Sequence, residues 1–189
     1  DASRPTHLAK FTASQREYDL GNAPELRVPL RWTDGNGVEV TKTFVFRRGE
    51  YRVDLEYDVA NRSGAPWAAA SYAQILRNDP KIERSLFTTD VSNYAFHGPA
   101  IWDGAKYRKL DIEDDDDRRL DIEVKGGWIA ALQHHFVGAI VPPTDDPFRL
   151  TLNAAGREFV VAAAGVTKTV APGADGKFTQ TLFIGPKLQ

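Results

Sequence analysis

Alternation of apolar and polar residues between residues 26 and 59 constrains the fold of this chain more than any other feature. Successive side chains of a β-strand point to opposite faces, so a period of two predicts strands with one buried face. Three such runs follow one another, with apolar positions at Leu26, Val28, Leu30 and Trp32, then Val38, Val40, Phe44 and Phe46, then Tyr51, Val53, Leu55, Tyr57 and Val59. Three consecutive strands with one apolar face predict an antiparallel meander.

The breaks between these runs have the composition of hairpin turns. Residues 34–37 (Asp-Gly-Asn-Gly) separate the first two runs, and residues 47–50 (Arg-Arg-Gly-Glu) separate the second from the third. Gly and Asn tolerate the positive φ angles that tight hairpins require. Pro29 cannot donate a ladder hydrogen bond, so we expect the first strand to lie at a sheet edge or to carry a bulge.

The middle of the chain is less regular. Residues 67–77 fit either a strand with an alanine-rich start or a short helix, because their periodicity favours neither. Residues 78–106 are rich in Asp, Asn, Pro, Ser and Gly, which predicts long connections carrying short strands. Residues 107–112 and 120–124 predict two strands that flank the acidic run 113–117 as a hairpin.

The last third of the chain predicts further strands. Residues 128–141 are almost continuously apolar, as in a buried central strand, although Trp128, Leu132 and Phe136 at a spacing of four also permit a helical turn. Three more strands are predicted at 148–152, 158–166 and 178–184, with turns at 153–156 and 172–176. This pattern predicts an all-β antiparallel sandwich with few short helices, and residues 1–189 contain no repeat or linker that would divide a single domain.

The composition argues against several classes of function. Acidic residues outnumber basic ones by 26 to 24, a balance that argues against nucleic acid or an anionic membrane as the main partner. Cysteine is absent, which removes disulfides and cysteine-based metal or nucleophile chemistry. No apolar run reaches the roughly 18 residues of a membrane span, and no signal peptide is visible. Methionine is also absent, so we expect the sequence to be part of a longer chain.

The four histidines do not predict a metal or catalytic site. His134 and His135 are adjacent, and adjacent residues on the predicted strand point to opposite faces, so the two are not expected to share one metal. His7 and His97 stand alone in the sequence. We expect each imidazole to be half-buried against the backbone or to lie on the surface.

Two other motifs invite a functional interpretation. The acidic run 113–117 lacks the glycine and the closing bidentate glutamate of a calcium loop, so it predicts a solvated turn. Gly126 and Gly127 precede Trp128 and predict a bulge or a close approach of backbones, since no phosphate-loop lysine follows them. The sequence therefore predicts no catalytic residues, no cofactor and no metal.

Three blocks of the sequence resemble one protein family. They are residues 41–51 (TKTFVFRRGEY), residues 125–136 (KGGWIAALQHHF) and residues 182–187 (LFIGPK). In order and spacing they resemble the large periplasmic domain of YidC, the membrane-protein insertase of the bacterial inner membrane, and the likeness runs from about Ala23 to the C-terminus. The resemblance implies a β-supersandwich of the galactose-mutarotase kind, located in the periplasm beside a membrane-embedded insertase core.

The resemblance also implies a non-catalytic role in membrane-protein insertion and folding. The expected partners are the SecD–SecF part of the Sec translocon or nascent polypeptide, with no nucleic acid and no small-molecule substrate. The SecF-contacting stretch of the family corresponds to roughly residues 95–141. Within it, the predicted partner-binding residues are His97, Trp102, Tyr107, Gly126, Gly127, Trp128, Gln133 and Phe136.

Two alternatives remain open. A carbohydrate-binding or mutarotase-like protein on the same sandwich would need a general acid and a general base, such as His and Glu, converging on a sugar, and the sequence shows no recognisable pair. A peptide-binding chaperone module would instead need an apolar cleft or an open sheet edge that accepts an extended chain.

Overall fold

The computed structural model describes residues 4–78 and 96–187. They form fifteen β-strands and a single-turn 3₁₀-helix, Asp117–Arg119. The strands are β1 Thr12–Ala13, β2 Glu25–Thr33, β3 Val38–Arg47, β4 Arg52–Asn61, β5 Trp67–Ala69, β6 Tyr72–Asn78, β7 Gly98–Trp102, β8 Tyr107–Lys109, β9 Asp121–Val124, β10 Trp128–Leu132, β11 Phe136–Val141, β12 Phe148–Ala155, β13 Glu158–Gly165, β14 Lys168–Val170 and β15 Asp175–Pro186. No helix among the described residues has the length and apolar character that crossing a membrane requires.

The chain divides into two compact units. Residues 1–71 and 166–182 make the first unit, and residues 72–165 and 183–189 make the second. Strand β15 runs unbroken through residue 182, so its beginning belongs to the first unit and its end to the second. Every pairing with a defined register is antiparallel, which confirms the predicted fold class.

The first unit contains the predicted meander. Its main sheet has the order β1-β2-β3-β4-β15, and Val28, Phe44 and Leu55 lie directly opposite one another on three neighbouring strands. Strand β1 pairs with β2 only at Arg31 and Leu30. Strand β2 is not the terminal strand of the sheet that Pro29 led us to expect, because β1 pairs with it at Leu30 and Arg31. Pro29 itself has a ladder partner on β3 alone within the described part of the chain, as its missing N–H requires.

A small core fills the apolar side of this sheet. Val38, Val40 and Val59 are buried against Trp67 from β5 and Val170 from β14, with Phe178 from β15 beside them. Strands β5 and β14 pair with each other as a separate two-stranded sheet. The apolar positions that alternation predicted are therefore buried where β3 begins and where β4 ends.

The meander departs from the prediction beside its second hairpin turn. Phe46 and Tyr51 were expected to face inward but are 39% and 54% exposed. Both residues flank the turn at Gly49, whose φ of +78° favours glycine, and side chains there extend past the covered part of the sheet. On the opposite face Val45 is fully buried, because the ion-paired side chains beside it, including Arg27 and Asp54, exclude water from it.

The second unit is a sandwich of two sheets. One, which includes the end of β15, has the order β15-β11-β10-β7-β8 and is part of the nine-stranded sheet; the other has the order β6-β13-β12-β9, and β10 packs against β6 and β13. The core between them is fully buried and aliphatic, with contributions from Ile101, Ile129, Ile140, Leu150, Leu152 and Val161. Gly138 on β11 allows close packing, since a Cβ there would lie 3.3 Å from the Ile75 side chain on β6.

Residues 67–77, for which the sequence allowed either a strand or a short helix, form two strands, β5 and β6. The predicted strands at 148–152, 158–166 and 178–184 correspond to β12, β13 and β15 and are confirmed. The predicted connection at 78–106 contains β7 and lies partly outside the described residues. These outcomes agree with alternation as the dominant signal of a half-buried strand.

Two predictions for the second unit are wrong. Residues 128–141 form two strands, because the polar residues 133–135 make a hairpin turn in which the Gln133 N–H donates to the Phe136 carbonyl at 2.7 Å. The strands beside the acidic run form no hairpin, since β8 pairs with β7 and β9 pairs with β12 in the other sheet. The acidic run therefore crosses between sheets, and Asp114 Oδ1 accepts the N–H groups of Asp116 and Asp117 there.

Candidate docking surface

The eight predicted partner-binding residues fall into two groups at opposite ends of β10. Trp128 at its start lies opposite Trp102, and Leu132 at its end lies opposite Gly98. We call Trp102, Tyr107, Gly126, Gly127 and Trp128 the tryptophan end, and His97, Gln133 and Phe136 the histidine end. Four residue steps of a strand, roughly 13 Å, separate the two groups along β10.

The tryptophan end is an aromatic row across three strands. Trp102 on β7 lies opposite both Trp128 on β10 and Tyr107 on β8. The Tyr107 and Trp128 rings have centroids 5.9 Å apart and are tilted by 43°. Tyr107 is 42% exposed, and burial of the rest of its ring raises the pKa of its phenol, so the hydroxyl is a protonated donor at neutral pH. Exposed aromatic side chains with a polar tip are typical of protein interfaces.

Backbone geometry holds this row in place. A Cβ on Gly127 would lie 2.5 Å from the Trp102 carbonyl oxygen and 2.9 Å from Val124 Cγ2, so the close approach predicted for the paired glycines is confirmed. In the β7–β8 turn, Asp103 Oδ1 accepts the N–H groups of Lys106 at 2.8 Å and Ala105 at 2.9 Å. These bonds hold the pKa of Asp103 below its usual value and order the turn that presents β8.

The histidine end brings together residues that the sequence kept apart. The ring centroids of His97 and His134 are 5.9 Å apart. The centroids of His134 and His135 are 3.9 Å apart, and these two rings are nearly perpendicular. The expectation that His134 and His135 point to opposite faces of a strand is wrong, because both lie in the β10–β11 turn. Sequence reasoning missed the approach of His97, which follows from the pairing of β7 with β10. Phe136, just after the turn, is 59% exposed.

Lys187 hydrogen-bonds to the backbone of both segments that carry these three histidines, His97, His134 and His135. Its N–H donates to the His135 carbonyl at 2.7 Å, and its Nζ donates to the Phe96 carbonyl at 3.2 Å. Phe96 directly precedes His97, so one residue holds the two segments that carry the histidines. No sequence motif predicted this contact.

A cleft of about 330 Å³ opens beside His97. Its walls carry one imidazole, the Lys109 ammonium and the carboxylates of Asp111 and Glu113, together with apolar residues that include Leu110 and Ile112. Such a mixture suits a small polar molecule. In the parts of the chain that the structure describes, no three side chains of the metal-ligating types converge as a metal site.

Comparison with known proteins shows the family. A family model described as "YidC periplasmic domain" matches residues 1–189. Proteins named "Membrane protein insertase YidC" from Thioalkalivibrio sulfidiphilus and Methylococcus capsulatus are 38% and 37% identical, each over 98% of this chain. The match covers 33% and 34% of those proteins, so the chain spans about a third of the length of these curated relatives.

Solved structures share the fold at low sequence identity. A protein from Synechocystis sp. PCC 6803 matches with a TM-score of 0.57 at 8% identity, over 94% of this chain and 66% of its own. A galactose mutarotase related enzyme from Lactobacillus acidophilus matches with a TM-score of 0.55 at 9% identity, over 95% and 74%. The galactose-mutarotase-like sandwich is therefore confirmed, and likeness at this identity carries no statement about activity.

Proposed function

This chain belongs to the family of YidC periplasmic domains, and we propose that it is the non-catalytic, periplasmic part of a bacterial inner-membrane insertase that docks the SecD–SecF part of the Sec translocon. The observation that carries the proposal is the aromatic row of Trp102, Tyr107 and Trp128 at one edge of a rigid sheet. Aromatic anchors of this kind dominate binding energies at protein interfaces.

The strand order favours docking at the tryptophan end. Strand β8 is the terminal strand of its sheet within the described residues, so the Tyr107 side chain is reachable from outside. Trp102 and Trp128 are held by strand pairing, and the ordered β7–β8 turn fixes Tyr107. A rigid aromatic surface loses little conformational entropy on binding, which favours affinity.

Calorimetric titration of this domain with the periplasmic domain of SecF tests the proposal. Tyr107→Ala removes the exposed ring and is expected to weaken binding by at least tenfold, equivalent to about 1.4 kcal/mol. Tyr72→Ala is the matched control, because Tyr72 is equally exposed but lies on β6 in the other sheet. Equal affinities for all three proteins, or no binding well above micromolar concentration, would overturn the docking role.

A second partner, nascent polypeptide, is favoured by strand β6. It is terminal in its sheet within the described residues, and along its seven residues every second side chain is exposed, including Tyr72 and Leu76. An extended polypeptide can add to such an edge through main-chain hydrogen bonds. In fluorescence anisotropy with a labelled peptide of alternating Val and Thr, Leu76→Lys is expected to abolish binding while Tyr107→Ala retains it; the reverse pattern would exclude the β6 edge.

The non-catalytic part of the proposal has its own test. Aldose mutarotation, followed by polarimetry, is expected to proceed at the uncatalysed rate in the presence of the protein. Acceleration that disappears in both His97→Gln and Glu113→Gln would identify the cleft as an active site and replace the docking role with the carbohydrate alternative.

A further inference from the structure

We propose that His97 and His134 together bind one Zn²⁺ or Cu²⁺ ion, a site separate from the docking surface at the tryptophan end. The Nε2 atom of His97 and the Nδ1 atom of His134 are both buried, and neither has a hydrogen-bond partner among the described residues. The two rings are neighbours, with centroids 5.9 Å apart. Two unpartnered ring nitrogens on adjacent imidazoles are the observation that carries the proposal.

Unsatisfied buried nitrogens require an explanation. A buried polar atom without a partner costs free energy, and native proteins satisfy nearly all such atoms. A neutral imidazole nitrogen without a proton is an acceptor, and a metal ion satisfies it as a Lewis acid. Imidazole nitrogen suits Zn²⁺ and Cu²⁺, whereas Ca²⁺ and Mg²⁺ take oxygen ligands. The chemistry of the two nitrogens therefore selects a transition metal.

The ring separation fits one shared ion. An imidazole bound at about 2.0–2.1 Å places its ring centre roughly 3.2 Å from the metal, so two rings on one ion have centres roughly 4.5–6.4 Å apart. The 5.9 Å between His97 and His134 lies inside this range. The 3.9 Å between His134 and His135 lies below it, so those two rings do not share an ion.

The surrounding backbone pre-orders the pair. Gly98 lies opposite Leu132 in the β7–β10 ladder, and Lys187 donates to the carbonyls of Phe96 and His135, each adjacent to one of the two histidines. Among the described residues, no third His, Cys, Asp or Glu side chain joins the two histidines to make a three-ligand site. With two protein ligands, we expect a site that exchanges its metal readily.

Metal titration of the tag-free protein tests the site directly. With ZnSO₄ in the calorimeter, or CuSO₄ followed by electron paramagnetic resonance, we expect one ion per chain and nitrogen hyperfine coupling from two imidazoles. His134→Gln is expected to lower the affinity at least tenfold. His7→Gln, which changes the exposed histidine near the N-terminus, and His135→Gln are the matched controls and are expected to bind like the parent protein.

A second measurement needs no variant. Diethylpyrocarbonate labelling with mass spectrometry is expected to show His97 and His134 protected by Zn²⁺, with His7 labelled at an unchanged rate. The proposal is overturned if the labelling rates of His97 and His134 are the same with and without Zn²⁺. It is also overturned if CaCl₂ binds as tightly as ZnSO₄, or if His7→Gln loses as much metal affinity as His134→Gln.

Discussion

The Thr181 hydroxyl donates a 2.8 Å hydrogen bond to the Asp54 carboxylate and joins β15 to β4. Asp54 also accepts from Arg52 at 2.8 and 3.0 Å and from Arg47 at 2.5 Å, and its side chain is only 14% exposed. Chiefly the Arg52 hydrogen bond, with those of Arg47 and Thr181, holds the pKa of Asp54 well below its usual range. One carboxylate therefore stabilises two neighbouring strands of the first unit.

Replacing this carboxylate is expected to destabilise the protein. Asp54→Asn keeps the shape but removes the charge that three donors share, and we expect a loss of about 2 kcal/mol in the free energy of unfolding at pH 7. Urea unfolding followed by far-UV circular dichroism measures the loss. Asp58→Asn, on the same face of β4 but exposed, is the matched control and is expected to change stability by no more than about 0.5 kcal/mol.

The same carboxylate predicts a pH dependence. Because the folded-state pKa of Asp54 is depressed, its contribution is complete above the unfolded-state pKa of about 3.9 and is lost as the pH falls below that value. The stability difference between the parent protein and Asp54→Asn should therefore shrink between pH 5 and pH 2. A difference that stays constant over this range would contradict the assigned pKa shift.

Alternation located the strands of the meander because one face of β3 and β4 is buried and the other is polar. It failed for Val45, whose burial depends on ion pairs contributed by neighbouring strands. It also failed at residues 133–135, where a continuous apolar run on both sides concealed a hairpin turn. Local pattern thus predicts elements well when burial is decided within the strand itself.

The candidate sites were less predictable from sequence for a related reason. Gly127 beside Trp128 is a local signal, and the close approach that it predicted is present. The proximity of the His97 and His134 rings depends on the register between β7 and β10, which no local sequence pattern specifies. Lys187 reaches both segments only after β15 has been placed.

Asn61 is a fully buried polar side chain of the first unit, and we expect its loss to be costly. Its amide donates to the carbonyls of Ala65 and Val170 at 2.9 Å, and its Oδ1 accepts the Ser63 N–H at 3.0 Å. Asn61→Ala removes this donor from the Val170 carbonyl and this acceptor from the Ser63 N–H, while Ala65 keeps its bond from the Ser63 hydroxyl. We expect a loss of about 3 kcal/mol in thermal or urea unfolding. Asn36→Ala, in the exposed first hairpin turn, is the control; comparable losses in both variants would refute a special role for Asn61.

A side chain added at Gly127 is expected to displace part of the tryptophan end. In Gly127→Ala the new Cβ would meet the Trp102 carbonyl at 2.5 Å, so β7 and β10 must shift apart. We expect a loss of about 2 kcal/mol in stability and weaker SecF binding, since Trp102 lies in the aromatic row. Gly64→Ala, where a Cβ meets nothing within 4 Å, should leave both unchanged. Unaltered melting of Gly127→Ala would show that the backbone relaxes freely there.

The sequence predicted one domain. We predict that both compact units unfold in a single transition, because the continuous strand β15 contributes its beginning to the first unit and its end to the second. Trp32 and Trp67 lie in the first unit, and Trp102 and Trp128 lie in the second. Changing either pair to phenylalanine leaves fluorescence that reports one unit alone. Coincident urea midpoints for each variant's fluorescence and far-UV circular dichroism are expected, whereas separate midpoints within one variant would show two independently folding domains.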